Sequence, residues 1–208
     1  MLKMARRSIV GAFFVLAGCA SGANFAGAKG VPSLALLGGE FVAAGPAGYC
    51  ADRNASRPQK GFAILAPCAV LGVADAPPAV YAMTTVQVGQ AGSAIVAQDP
   101  AAFAAYLEGP NGPQLLSRTG DASSITIRDV TQIGDQVLVH LVDEAPAAID
   151  GAQEAEWRAF IDIAGRFVTI AVRGLDEAPL SLRAGDALLA QSIRAIIAAN
   201  AQQPASES

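Results

Sequence analysis

Reactive side chains are scarce in this chain. It has 208 residues but a single histidine, His140, and three cysteines. One imidazole excludes any metal site built on a histidine pair, and the thiols beside it fall short of an ordinary structural zinc site. Basic charge is scarce too: 14 Lys and Arg face 18 Asp and Glu, a net −4. Nucleic-acid binding asks for a basic face, so that class of partner is set aside. The loops that cradle phosphates or present a nucleophile are missing as well. There is no G-x-S-x-G, no Walker loop and no G-x-G-x-x-G after a strand. Asp129, Asp135 and Asp150 do not have the spacing of an EF-hand. No catalytic, cofactor-binding or metal-binding residue is assigned on these grounds.

What is present starts at the first residues. Lys3, Arg6 and Arg7 form a basic start, and Ile9 to Ala17 is an uncharged apolar run. That run is short of the ~20 residues a membrane-spanning helix needs, and it suits the apolar region of a secretory leader. It ends in Leu16-Ala17-Gly18-Cys19. These four residues resemble the lipobox of bacterial lipoproteins. The resemblance covers the leader alone. It implies that residues 1–18 are cut away, that the Cys19 thiol carries a diacylglyceryl group, and that the new amino terminus is acylated. A single acyl chain binds a bilayer marginally, and each buried methylene adds ~0.8 kcal/mol, so two or three chains on Cys19 hold the protein there. Residue 20 is Ala, not Asp. By resemblance to enterobacterial sorting, this implies the outer membrane, with the domain facing the periplasm. The expected partners are the lipid bilayer, through acylated Cys19, and an envelope protein.

Loss of the leader removes three basic residues, so the mature balance is 11 − 18 = −7. Acidity of this size is read as solubility. Residues 19–31 are small and Gly-rich and form the expected tether, with a reach of ~20 Å at ~5–6 Å × √n. Residues 32–200 are expected to be one domain, long enough to bury a full core. Residues 201–208 are a mostly polar tail expected to be disordered. With Cys19 committed to lipid, Cys50 and Cys68 form an even pair in an oxidising compartment and are expected to be joined. Closing that loop contributes ~3 kcal/mol in the chain-entropy account. Two buried thiols or a redox pair are the other readings, although the spacing is not C-x-x-C.

Apolar periodicity sets out the elements. Strands are expected at 40–44, 61–66, 80–88, 93–98, 124–131, 136–142, 153–163 and 166–173. The stretch 153–163 also suits a helix; the turn at Ala164-Gly165 favours a strand. Residues 32–37 stay open between a strand and a helical turn. Residues 51–60 read as a polar loop, and a simple hairpin about it places residue 50 opposite a residue near 61. Asp99 and Pro100 start a helix that Gly109-Pro110 stops, with Ala102, Phe103, Tyr106 and Leu107 on one face. A short helix at 113–118 turns Leu115 and Leu116 inward. The last helix, 184–200, carries a stripe of Leu188, Leu189, Ile193, Ile196 and Ile197. Strands in consecutive pairs with helices beside them give an α+β fold: an antiparallel β-sheet with packed helices, including a C-terminal amphipathic helix. Over roughly residues 120–200 the element order resembles that of the PsbP-like α-β-α sandwich.

Few side chains invite chemistry. His140 lies in a strand and is expected half-buried. Asp143-Glu144 and Asp176-Glu177 read as solvated loop acids. Arg158, Arg166 and Arg173 fall close together in one strand pair. Either they bind an anionic ligand, or they form exposed pairs with Glu154, Glu156 and Asp162, which contribute little. Trp157 and Phe160 read as core. The expected function is a non-catalytic binding or envelope-support role for a membrane-anchored lipoprotein. One rival is a tethered hydrolase using His140 with an acid such as Asp143. Another is a small-ligand carrier, which needs a concave apolar pocket between sheet and helices.

Overall fold

The structure, a computed structural model, describes residues 29–146 and 149–201. The leader, Cys19, the tether up to residue 28 and the tail from 202 lie outside the described residues. The strands are β1 (Gly30–Val31), β2 (Ser33–Leu36), β3 (Phe41–Ala44), β4 (Tyr49–Asp52), β5 (Phe62–Pro67), β6 (Met83–Val88), β7 (Ile125–Ile133), β8 (Gln136–Asp143), β9 (Ala152–Ile163) and β10 (Arg166–Leu175). The helices are α1 (Pro100–Glu108), α2 (Gly112–Leu116) and α3 (Leu182–Asn200). Eight strands make one antiparallel sheet in the order β1-β4-β5-β6-β10-β9-β8-β7, and β2 and β3 form a separate hairpin. After β6 the chain crosses through α1 and α2 to the far edge. The meander β7-β8-β9-β10 then returns strand by strand until β10 closes on β6. The fold is therefore α+β and dominated by its sheet.

Local chemistry explains the boundaries. The Asp99 carboxylate accepts from the Ala102 N–H at 2.9 Å, and Pro100 opens the helix behind it. Ser181 caps α3 in the same way, accepting from the Ala184 N–H. Ala164 and Gly165 both have positive φ, 51° and 71°, at the β9–β10 turn. That left-handed pair matches the twist of a two-residue hairpin. β9 alternates cleanly: Trp157, Ala159, Ile161 and Ile163 join one core, while Phe160 joins another.

The first core lies under α3 and the β2–β3 hairpin. Leu188, Leu189, Ile193 and Ile196 of α3 pack with Leu36, Phe41, Val86, Ala159, Ile170 and Val172, all buried. Each such side chain contributes ~1.5–3 kcal/mol of gross burial. α3 crosses the sheet at Gly185, where a Cβ would come within 2.2 Å of the Trp157 ring. At its far end Asn200 behaves like one more strand residue. Its Oδ1 accepts from the Val42 N–H at 2.9 Å and its Nδ2 donates to the Val42 carbonyl at 2.8 Å, which ties α3 to β3. The second core is smaller. Leu107 of α1 and Leu116 of α2 cover Val137, Val139 and Leu141 of β8, and Phe103 meets Phe160 edge-on at 5.3 Å.

Several expectations change. Tyr49–Asp52 is a strand, not a loop entrance, and the long connection behind it puts Cys50 opposite Ala66 rather than a residue near 61. No strand forms at 93–98: Val96 is buried, but the Ile95 and Ala97 N–H groups donate to the Asp162 carboxylate instead of to a neighbouring strand. Tyr106, Leu115 and Ile197 are exposed, because each of these helices buries a narrower stripe than its apolar residues suggest. Gly30 and Val31, placed in the tether by sequence, pair with β4 at the sheet edge. Residues 32–37 resolve as strand over Ser33–Leu36. Cys50 and Cys68 are joined as expected.

Candidate functional site

Helices cover the second face only in part. α1 and α2 lie over β7 and β8. Beyond them the face of β10, β6 and β5 is open, and a groove of about 500 Å³ runs across it. Its floor follows the register. Ile64 of β5 lies opposite Thr85 of β6, Ala171 of β10 pairs with both Thr85 and Arg158 of β9, and Met83 lies opposite Arg173, which lies opposite Glu156. Small residues at the centre, Thr85, Thr169 and Ala171, make the floor concave. Phe62, Ile64 and Met83 give one half an apolar surface, left half-buried because no helix covers them. The dimensions are those of a small-molecule site.

The other end of the groove is charged. Glu156, 2% exposed, receives the Arg158 Nε on Oε1 and the Arg173 Nε on Oε2, each at 2.5 Å. Arg158 also donates to the Leu116 carbonyl at 3.0 Å, and Arg173 to the Gln153 carbonyl at 3.3 Å. Behind them Asp143, 1% exposed, accepts from the Arg118 Nε at 2.8 Å, and Arg173 Nη2 lies 3.5 Å from its Oδ2. Arg118 donates further to the Ala145 and Pro146 carbonyls. Burial pushes the Asp143 carboxyl up, but the Ala145 N–H and the guanidinium groups of Arg118 and Arg173 outweigh it and hold the carboxyl below its ordinary range. Three guanidinium groups thus share two carboxylates, 3 − 2 = +1. Arg173 Nη2 pairs with Glu156 Oε2 and lies within ion-pair range of Asp143, so this guanidinium is engaged by both acids. Across the groove, Arg57 makes no ion pair among the described residues.

The expected exposed pairing of arginines is therefore corrected. Arg158 and Arg173 are buried about Glu156, while Arg166 projects to the other side of the sheet, where it pairs with Glu40 and donates to the Gly89 carbonyl. Glu154 is exposed and joins neither cluster. Asp143 is a buried strand residue, not a solvated loop acid, because Arg118 and Ser124 reach it from the segment after α2. Asp176 and Glu177 are exposed as expected. His140 and Asp143, the pair a hydrolase needed, stand three residues apart on β8 and so point to opposite faces. His140 stacks on Trp157 at 4.8 Å. Sequence reasoning missed Arg118 and Ala171 as site residues, and named Asp143 only as a loop acid and as a partner for His140. The i, i+2 pair Glu156 and Arg158 on the same strand face as Phe160 was the available signal.

Fold and site together define an α+β domain with one sealed sheet face and one open face that ends in surplus positive charge. No family model, no curated protein and no solved structure matches the chain. Among the described residues no helix is long and apolar enough to cross a membrane, and no group of three or more potential metal-ligating side chains is gathered.

Proposed function

We propose that this protein is a membrane-anchored lipoprotein with a non-catalytic binding role, held through acylated Cys19 on the periplasmic side of the outer membrane. The open groove on the second sheet face is its working surface. The observation that carries the binding role is that groove: about 500 Å³ of largely apolar, concave surface on the strands, bordered by Arg118 beyond the end of α2. A small-ligand carrier needs such a pocket, and among the non-catalytic roles this one has a specific place in the fold. The anchor rests on Leu16-Ala17-Gly18-Cys19 and on the basic and apolar stretches before it. Two measurements test the two halves separately. Growth with a labelled fatty-acid analogue is expected to mark the wild type and not Cys19→Ser; equal labelling of both removes the anchor. Organic extraction of the protein purified from membranes by its own lipid, followed by mass spectrometry, is expected to yield one retained small molecule that Ala171→Leu loses. The same molecule at full occupancy in that variant removes the groove.

A further inference from the structure

The groove has two unlike ends, and that asymmetry specifies the chemistry of what fills it. We infer that its ligand is a single-chain amphiphile with a carboxylate head, of the fatty-acid class, lying with its chain over Ile64, Met83 and Ala171 and its head against the arginines that line the groove. This inference rests on the groove being the binding surface. Three observations carry it. First, the chain is acidic overall, yet this end of the groove holds three guanidinium groups against two carboxylates, 3 − 2 = +1. One anionic group completes that balance; a cationic head adds to the surplus. Second, four guanidinium groups line the groove, those of Arg57, Arg118, Arg158 and Arg173, against one lining carboxylate, Glu156, and Arg57 makes no ion pair among the described residues. A planar guanidinium suits a carboxylate through two parallel bonds. Third, the rest of the wall is apolar and the volume is about 500 Å³, which suits one acyl chain better than two. The acids nearest this end, Glu144, Glu154 and Asp176, are exposed and make no ion pair with Arg118, Arg158 or Arg173, so they do not cancel the surplus.

The test uses the mature chain from residue 19, which includes both cores and the disulfide. It carries Cys19→Ser and is secreted so that the disulfide forms without an acyl group that competes for the groove. Titration calorimetry compares decanoate, decan-1-ol and decyltrimethylammonium, which share a chain and differ in the head. Decanoate is expected to bind roughly tenfold or more tighter than decanol, since charge-assisted bonds are the stronger class. The ammonium is expected to be weakest. Arg173→Gln is expected to bring decanoate down to the decanol level and leave decanol unchanged, whereas Ala171→Leu loses both. Should Arg173→Gln not fold, Arg57→Gln at the exposed rim is expected to lower decanoate affinity severalfold and spare decanol. Equal affinity of the wild type for decanoate and decanol overturns the carboxylate inference while the groove stands. Binding of neither removes the groove reading itself.

Discussion

On one face of the sheet, α3 and the β2–β3 hairpin lie over an apolar surface and leave almost nothing exposed. On the other, α1 and α2 stop over β8, and the floor beyond them runs from apolar residues to a knot of five charges, four of them buried and Arg118 at its exposed edge. The same strands supply both faces. Ala159 and Ile170 are paired neighbours facing α3, while Ala171 and Arg158, one step along each strand, face the groove. The sealed core and the proposed binding surface are thus separated by strand parity rather than by domain. A residue can be altered on one face while the other keeps its contacts.

The strongest way to break this separation is to remove Glu156. It is the common acceptor of Arg158 and Arg173. Glu156→Gln leaves three guanidinium groups in the second face with one acid, Asp143, which pairs with Arg118 and Arg173 and leaves Arg158 without an ionic partner. Removing one partner of a buried ion pair costs ~3–5 kcal/mol. A urea melt of Glu156→Gln is expected to show a loss in that range. A loss below about 1 kcal/mol shows the knot to be hydrated and the groove charge to be weaker than its burial indicates.

Next in size is the disulfide. Cys50 lies opposite Ala66 on β5, and Cys68 follows the end of that strand, so the bond closes the base of the loop that places Ala55 and Arg57 on the groove rim. Replacing both cysteines by alanine is expected to cost ~3 kcal/mol. Hydrogen exchange is expected to quicken in residues 53–61 and to stay slow in α3, whose contacts are on the sealed face. Uniformly faster exchange across both faces sinks the idea that they are separable.

How much of this was legible in the sequence follows from which interactions are local. The α1 start needs Asp99, Pro100 and Ala102, all within four residues, and its place was readable. The stripe of α3 and the alternation of β7, β8 and β10 are also local patterns. β4 was hidden because it is four residues long and ends at Asp52, which turns the chain by accepting from the Asn54 and Ala55 N–H groups. The site was hidden for a different reason. Asp143 looks like a loop acid until Arg118, 25 residues earlier, is brought against it. Arg173 and Glu156 meet through the β9–β10 register, which sequence located, but which half of that face lies open depends on how far α2 extends, and composition does not encode that.

The contrast between faces is sharpest in its two alanines. Ala159 is fully buried under α3, and Ala171 forms the groove floor. Ala159→Leu inserts volume into a sealed core and is expected to cost ~1–3 kcal/mol. Ala171→Leu directs the same atoms into the groove, and its stability is expected to stay within about 0.5 kcal/mol of wild type. Equal losses at the two sites show that the groove closes in solution.

The smallest expected effect is a pH dependence that belongs to the sealed side. His140 stacks on Trp157 there, and loss of water lowers its pKa from 6.5. Asp186 of α3 and Asp129 of β7 pull it upward and Arg128 pushes it down, yet burial dominates. Between the lowered value and 6.5 the unfolded chain binds more protons than the folded one, so stability is complete above about pH 6.5 and falls as the pH drops below it. Asp143 acts in the same direction but lower. Its depressed pKa contributes stability above about pH 4, which is lost as pH falls through the folded value. Urea midpoints at pH 7.5, 6.5 and 5.5 separate the two, since Asp143 is ionised throughout. The wild type is expected to lose stability across that range, and His140→Phe, which keeps a ring against Trp157, is expected to lose less. If the two proteins follow the same curve, His140 is as well hydrated folded as unfolded, and the sealed face admits water at its edge.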